Sequence, residues 1–213
     1  MTTTDPETAL AWWALALFAV YLTLGFVLRS VLHYRATGDT GFRGISGPVG
    51  SPRWWAGVLF VLALLTGVLG PVAALAGMEP IGVFNDPDVQ AAAAVAAVVG
   101  IVLTVLAQLG MGSAWRIGVR EGERTALVTV GWFAVVRNPI FSAMALTGAG
   151  LAFMVPNLVS IAGLALLLIA LQLQVRIVEE PYLRAQHGPA YTRYEQSVGR
   201  FVPFLGRRRR TRA

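Results

Sequence analysis

Between Arg137 and Arg176 the chain runs for 38 residues (138–175) without a charged side chain. At ~1.5 Å per residue a single helix of that length would be nearly twice the roughly 30 Å hydrocarbon thickness of a bilayer. The run therefore has to be broken, and Val155-Pro156-Asn157 supplies the break. Proline has no N–H to donate, and the residue before it disfavours helix. Two helices are predicted, about 140–154 and 158–178, folded back on each other as a hairpin.

Three more charge-free runs precede it: Ala9–Leu28, Trp54–Met78 and about Val89–Met111. Apolar runs of about 18 residues or more are transmembrane candidates. Only 13 % of the 213 residues are charged, against roughly 25 % in soluble domains. The expected fold is an all-α integral membrane protein of about five transmembrane helices in one compact domain. Residues 1–111 would form an N-terminal three-helix membrane region. Residues 112–213 would hold a cytoplasmic loop, the hairpin 140–178 and a short polar tail. Acidic Asp5 and Glu7 stand where a signal peptide would be basic, so the first run reads as a retained span.

Arginine placement predicts the orientation. All 17 basic residues are Arg. The 29–53 segment carries Arg29, Arg35, Arg43 and Arg53 against Asp39 alone. The 77–88 loop carries Glu79, Asp86 and Asp88 and no base. The 112–139 loop is basic again, with Arg116, Arg120, Arg124 and Arg137. The alternation places the N-terminus outside and the C-terminus in the cytoplasm. The terminal Arg207-Arg208-Arg209-Arg210 and Arg212 would lie on anionic lipid head groups, at ~1 kcal/mol each. No basic soluble domain is present to hold nucleic acid. The all-Arg, Ala/Gly/Val-rich composition suggests a GC-rich bacterial genome, hence a bacterial cell membrane.

The residue inventory excludes several chemistries. There is no Cys, and the only two histidines, His33 and His187, lie far apart, so thiolate chemistry and a metal centre are not expected. No G-x-G-x-x-G and no P-loop occurs.

The candidate chemistry gathers at the ends of the hairpin. Pro139 suits the first helical turn and Asn138 its N-cap, with Arg137 just before them. The first amides of that helix could receive a carboxylate. At the far end, Gln172, Arg176, Glu179 and Glu180 have the helical spacing that puts them on one face. Carboxylates at a membrane interface are functional candidates, although Glu180 could also pair with Arg176 or Arg184 four residues away. The hairpin would bring Arg137 beside Glu179 and Glu180, a match for a zwitterionic cofactor head. Trp115 and Arg116 would mark the interface or edge a pocket. The steps Gly67–Gly70 and Gly148–Gly150 would let helices approach closely, within or between chains.

Read in order, Thr129-Val130-Gly131-Trp132-Phe133, Arg137-Asn138-Pro139-Ile140-Phe141, Glu179-Glu180-Pro181-Tyr182-Leu183, His187-Gly188-Pro189-Ala190-Tyr191, Tyr194 and Arg200-Phe201-Val202-Pro203 resemble the isoprenylcysteine carboxyl methyltransferase family. That family sits within a wider group of small membrane methyltransferases that includes phospholipid N-methyltransferases. The resemblance covers about residues 108–205. It implies S-adenosylmethionine as cofactor, bound facing the cytoplasm, and a lipophilic or lipidated acceptor arriving from the bilayer. It implies catalytic roles for Arg137, Glu180 and Arg200. It implies cofactor contacts for Asn138, Pro139, Glu179, Glu180, His187, Gly188, Tyr191 and Tyr194. Many relatives have His where this chain has Asn138. The reaction implied is carboxyl O-methylation of an isoprenylcysteine-like or other amphipathic acceptor. Amine N-methylation, a sterol-reductase-like NADPH enzyme and a non-catalytic membrane scaffold are the alternatives.

Overall fold

The structure, a computed structural model, describes residues 5–118, 122 and 125–208. Arg120, Glu121, Glu123 and Arg124 of the basic loop, and Arg209, Arg210 and Arg212 of the tail, lie outside the described residues.

The described chain is helical, with two isolated β-bridges and no regular strand. Four helices are long and apolar enough to cross a membrane: α1 (Pro6–Thr37), α2 (Pro52–Leu75), α3 (Pro87–Gly110) and, later in the chain, Leu158–His187. A four-residue helix α4 (Trp132–Val135) leads to α5 (Pro139–Met154), an apolar helix of 16 residues. The helix Leu158–His187 is α6, and α7 (Pro189–Ser197) closes the sequence of elements. At ~1.5 Å per residue α5 is about 24 Å long, shorter than the hydrocarbon layer. The protein is an integral membrane protein with the expected hairpin, α5–α6.

The break is built as proline chemistry requires and is buried. Asn157 Oδ1 accepts from Ser160 N (2.9 Å) and so caps α6, while its Nδ2 donates to the Gly70 carbonyl of α2 (2.8 Å). Helix α3 packs along α5 and α2 along α6, with α1 against α2 and α5. The small residues decide how close these pairs come. A Cβ on Gly100 would stand 2.6 Å from Thr147 N, and one on Gly150 2.6 Å from Ala93 O, so α3 and α5 are in backbone contact there. Gly67 faces Phe18 and Gly148 faces Leu167. Both glycine steps therefore serve packing within the chain. The outward faces carry exposed Trp13, Val95, Leu158 and Ile169, as a lipid-facing surface should.

Two helices depart from the expected regularity. Helix α1 contains a π turn over Thr23–Leu28, and the Gly25 carbonyl there accepts from Gln108 Nε2 (2.9 Å). Helix α6 does not stop near residue 178. A π turn over Gln174–Glu179, closed by the Glu180 amide on Val175 O, carries it past Pro181 to His187. The i→i+5 bonding changes the angular phase of the residues beyond it. This corrects the expectation of one polar face. Gln172 and Arg176 point outward and bond to each other (3.1 Å), whereas Glu180 is buried. The Val/Thr-rich stretch before Gly131 forms no regular strand over its described residues 125–130.

Candidate active site

The polar end of the bundle is organised by one carboxylate. Glu180, 3 % exposed, accepts from Arg137 Nη2 (3.0 Å), Arg184 Nη2 (3.0 Å), and Arg200 Nε and Nη2 (2.7 and 3.0 Å). These donors come from the residues before α5, from α6 itself and from the tail, so Glu180 ties the hairpin to the segment after α7. Arg137 also donates to the carbonyls of Glu195 (3.0 Å) and Gly206 (3.2 Å). Its amide donates to Gly199 O (2.8 Å), within a bridge between Val136 and Gly199. A second hub, Glu195 of α7, receives Arg184 (2.7 and 3.0 Å) and Arg208 (3.4 Å).

Beside this cluster lies a cavity of about 310 Å³. Its polar part is lined by Arg116, Arg137, Asn138, Glu179, Tyr191 and Tyr194. Its apolar part is lined by Phe26 of α1, Phe60 and Leu64 of α2, and Ile140, Phe141 and Met144 of α5. Arg116 donates to Thr125 Oγ1 (2.7 Å) and stands 5.2 Å from the centre of the Tyr182 ring. Gln174 hydrogen-bonds to the Glu179 side chain. Tyr194 donates to the Phe133 carbonyl (2.5 Å), and its ring lies edge-on to Tyr191 at 6.1 Å. Burial pushes both phenols above their ordinary pKa, so both remain neutral donors.

The residues singled out from the sequence fall into two groups. Arg137, Asn138, Pro139, Glu179, Tyr191 and Tyr194 line the cavity, as do Trp115 and Arg116. Glu180, Arg200, His187 and Gly188 are not among its described lining residues. Glu180 and Arg200 are consumed by the ion cluster. Gly188, at φ 51°, makes the corner between α6 and α7, and His187 Nε2 is buried with no partner. Asn138 stands at the N-cap position but makes no side-chain cap. Its Nδ2 and its amide both donate to Arg200 O (3.1 Å each). Sequence reasoning missed the apolar wall from α1 and α2, Gln108, and Glu195. Gln108 is a buried amide with an unpartnered Oε1, and a lone Gln in an apolar span is a weak signal. No sequence spacing announces a pair such as Arg184–Glu195, whose members meet only after the corner at Gly188.

The ion hubs give a pH dependence. Burial alone would raise the pKa of Glu195, but hydrogen bonding and attraction from Arg184 outweigh it, with Arg137 and Arg208 adding to them, and hold it below the usual 4.5. A carboxylate whose pKa is lower folded than unfolded contributes its full stability above the unfolded value, and loses it as the pH falls through the folded one. Thermal unfolding of detergent-solubilised protein should therefore show a plateau from neutral pH down to about 4.5 and a falling midpoint below it. In Glu195→Gln that acid-side loss should be smaller.

A bundle of apolar helices enclosing a cavity that is charged at one end and aromatic-aliphatic at the other defines an integral membrane protein suited to holding a polar and an apolar ligand together. Residues 88–190 match the family model described as phospholipid methyltransferase, within the group of small membrane methyltransferases that the chain's motifs resemble. No curated protein matches the chain. The match begins in α3 and ends at the start of α7, so it covers most of the polar wall of the cavity and none of the wall from α1 and α2.

Proposed function

We propose that the protein is an S-adenosylmethionine-dependent methyltransferase acting at the membrane on a lipophilic acceptor. The observation that carries this is the cavity in which Glu179, Arg116, Arg137 and two buried tyrosines meet an apolar chamber formed by three helices. The donor set fits the cofactor. Glu179 can accept from its ammonium group or ribose hydroxyls, Arg116 can hold its carboxylate, and Tyr191 offers an aromatic face. When bound, the cofactor supplies an electrophilic methyl group on a sulfonium.

The chain's own part is positioning and exclusion of water, which suffice for an in-line displacement. Arg137 is held rigidly by Glu180 and two carbonyls, and its Nε has no partner. An acceptor carboxylate arrives ionised, needs no base, and would be oriented by the guanidinium groups. Carboxyl O-methylation of an isoprenylcysteine-like or other amphipathic acid is therefore the reading preferred. The family match supports a second one, N-methylation of an amino-lipid, in which Glu179 would take the proton released. With the orientation read from the arginines, the polar end faces the cytoplasm.

The first test is calorimetric titration of the purified, folded protein with S-adenosylmethionine and, separately, with NADPH. Saturable binding of the former is expected. Binding of NADPH alone would transfer the assignment to a reductase, and binding of neither would leave a non-catalytic role. Labelled methyl transfer to an isoprenylcysteine analogue, a fatty acid and phosphatidylethanolamine then separates the two readings, because a methyl ester releases methanol in base and a methylamine does not.

A further inference from the structure

The cavity has a wall that belongs to no helix. Between α1 and α2 the chain carries a glycine at every third position, Gly38, Gly41, Gly44, Gly47 and Gly50, all at positive φ between +72° and +87°. This strap pairs with the segment that follows α3. Arg43 N donates to Ile117 O (2.9 Å) and Ile117 N to Gly41 O (2.8 Å), in a parallel bridge. Gly41 has to be glycine, since a Cβ there would stand 2.8 Å from the Trp115 ring. Asp39 clamps the start of the strap, accepting from Arg43 Nη1 and Nη2 (2.8 and 2.7 Å) and from the Gly41 amide (2.9 Å). Hydrogen bonding by Arg43 holds its carboxyl at about 2, so the clamp persists at any physiological pH.

Phe42, Gly44, Ile45 and Ser46 of the strap face the cavity, as does Gly57 in the first turns of α2. Ile45 rests directly on Gly57: a Cβ at position 57 would come within 2.7 Å of Ile45 Cγ2 and 3.2 Å of its Cβ. Carbon atoms settle at about 3.5–4.0 Å, so any side chain at 57 must push Ile45 away from the helix. All of this lies outside the family-matched segment 88–190.

We propose that strap residues 41–46 are the acceptor-selecting wall of the cavity, with Ile45, seated in the notch at Gly57, gauging how wide a hydrocarbon fits beside the methyl-accepting group. This rests on the reading of the cavity as a site for a lipophilic acceptor. Sequence differences in the strap and at Gly57 would then change the acceptor while the cofactor wall stayed the same.

Photolabelling tests this without requiring turnover. Two amphiphiles with the same carboxylate head, one straight-chained and one methyl-branched, each carry a mid-chain diazirine and are irradiated with the full-length solubilised protein. Both should label Phe42–Ser46 and the Gly57–Leu64 turns. Gly57→Ala should lower branched relative to straight labelling, by roughly tenfold for a methyl-sized change in an apolar pocket. Ile45→Ala should shift the ratio the other way, and the double variant should stay near Ile45→Ala, because no isoleucine remains at 45 for a side chain at 57 to push. Labelling confined to outward helix faces would overturn the proposal, as would a ratio unchanged in Ile45→Ala. Failure of S-adenosylmethionine to bind in the titration above would defeat the methyltransferase reading alone, because the labelling does not depend on it.

Discussion

Glu180→Gln should lower the thermal unfolding midpoint by on the order of 10 °C, and should do so with or without ligand. The carboxylate is 3 % exposed and is the common partner of Arg137, Arg184 and Arg200. Arg137 is itself buried, at 6 % exposure. Removing the negative charge leaves that guanidinium without its counter-ion, and breaking one partner of a buried pair costs about 3–5 kcal/mol. For a chain of this size each kcal/mol is worth roughly 2–4 °C. Three segments lose their common anchor at once: the start of α5, the end of α6 and the turn at Arg200. Scanning fluorimetry in detergent measures the effect. A variant with an unchanged midpoint but no cofactor binding would show instead that Glu180 contacts the ligand, as the motif resemblance implies.

Its neighbour should behave oppositely. Glu179→Gln should leave the midpoint nearly unchanged and weaken S-adenosylmethionine binding by roughly 10- to 100-fold, the range for a lost hydrogen bond to a charged group. Glu179 faces the cavity and takes no part in the Arg137–Arg184–Arg200 cluster. Its hydrogen-bonding neighbour in the fold is Gln174, which a glutamine at 179 can still serve. Calorimetry on both variants, side by side, reads the contrast. An unchanged dissociation constant for Glu179→Gln would remove this residue from the cofactor site and leave Arg116 and the tyrosines as its remaining contacts.

The two glutamates show where sequence reasoning reaches its limit. A dicarboxylate next to a long apolar hairpin is visible in the sequence, and so is its likeness to a methyltransferase motif. Which carboxylate faces the ligand is not visible, because the answer depends on a π turn at Gln174–Glu179 that shifts the phase of the helix there. On an unbroken α-helix Glu180 would share a face with Gln172 and Arg176. In the fold it turns inward while they remain outside. Asn138 is a similar case. Its place before Pro139 marks a helix start correctly, yet its side chain serves the Arg200 carbonyl from 62 positions away instead of capping α5.

The membrane class, the hairpin, its break at Pro156 and the ordered motifs were determined by the sequence alone, because hydropathy, proline geometry and motif spacing are local properties summed along the chain. Only the tertiary structure decided that Glu180 anchors while Glu179 lines the cavity, that Glu195 is a second hub, and that α1, α2 and the glycine strap complete the cavity. Those roles depend on partners many tens of residues apart and on the rotation of a helix about its own axis, and packing against the other helices is what sets both.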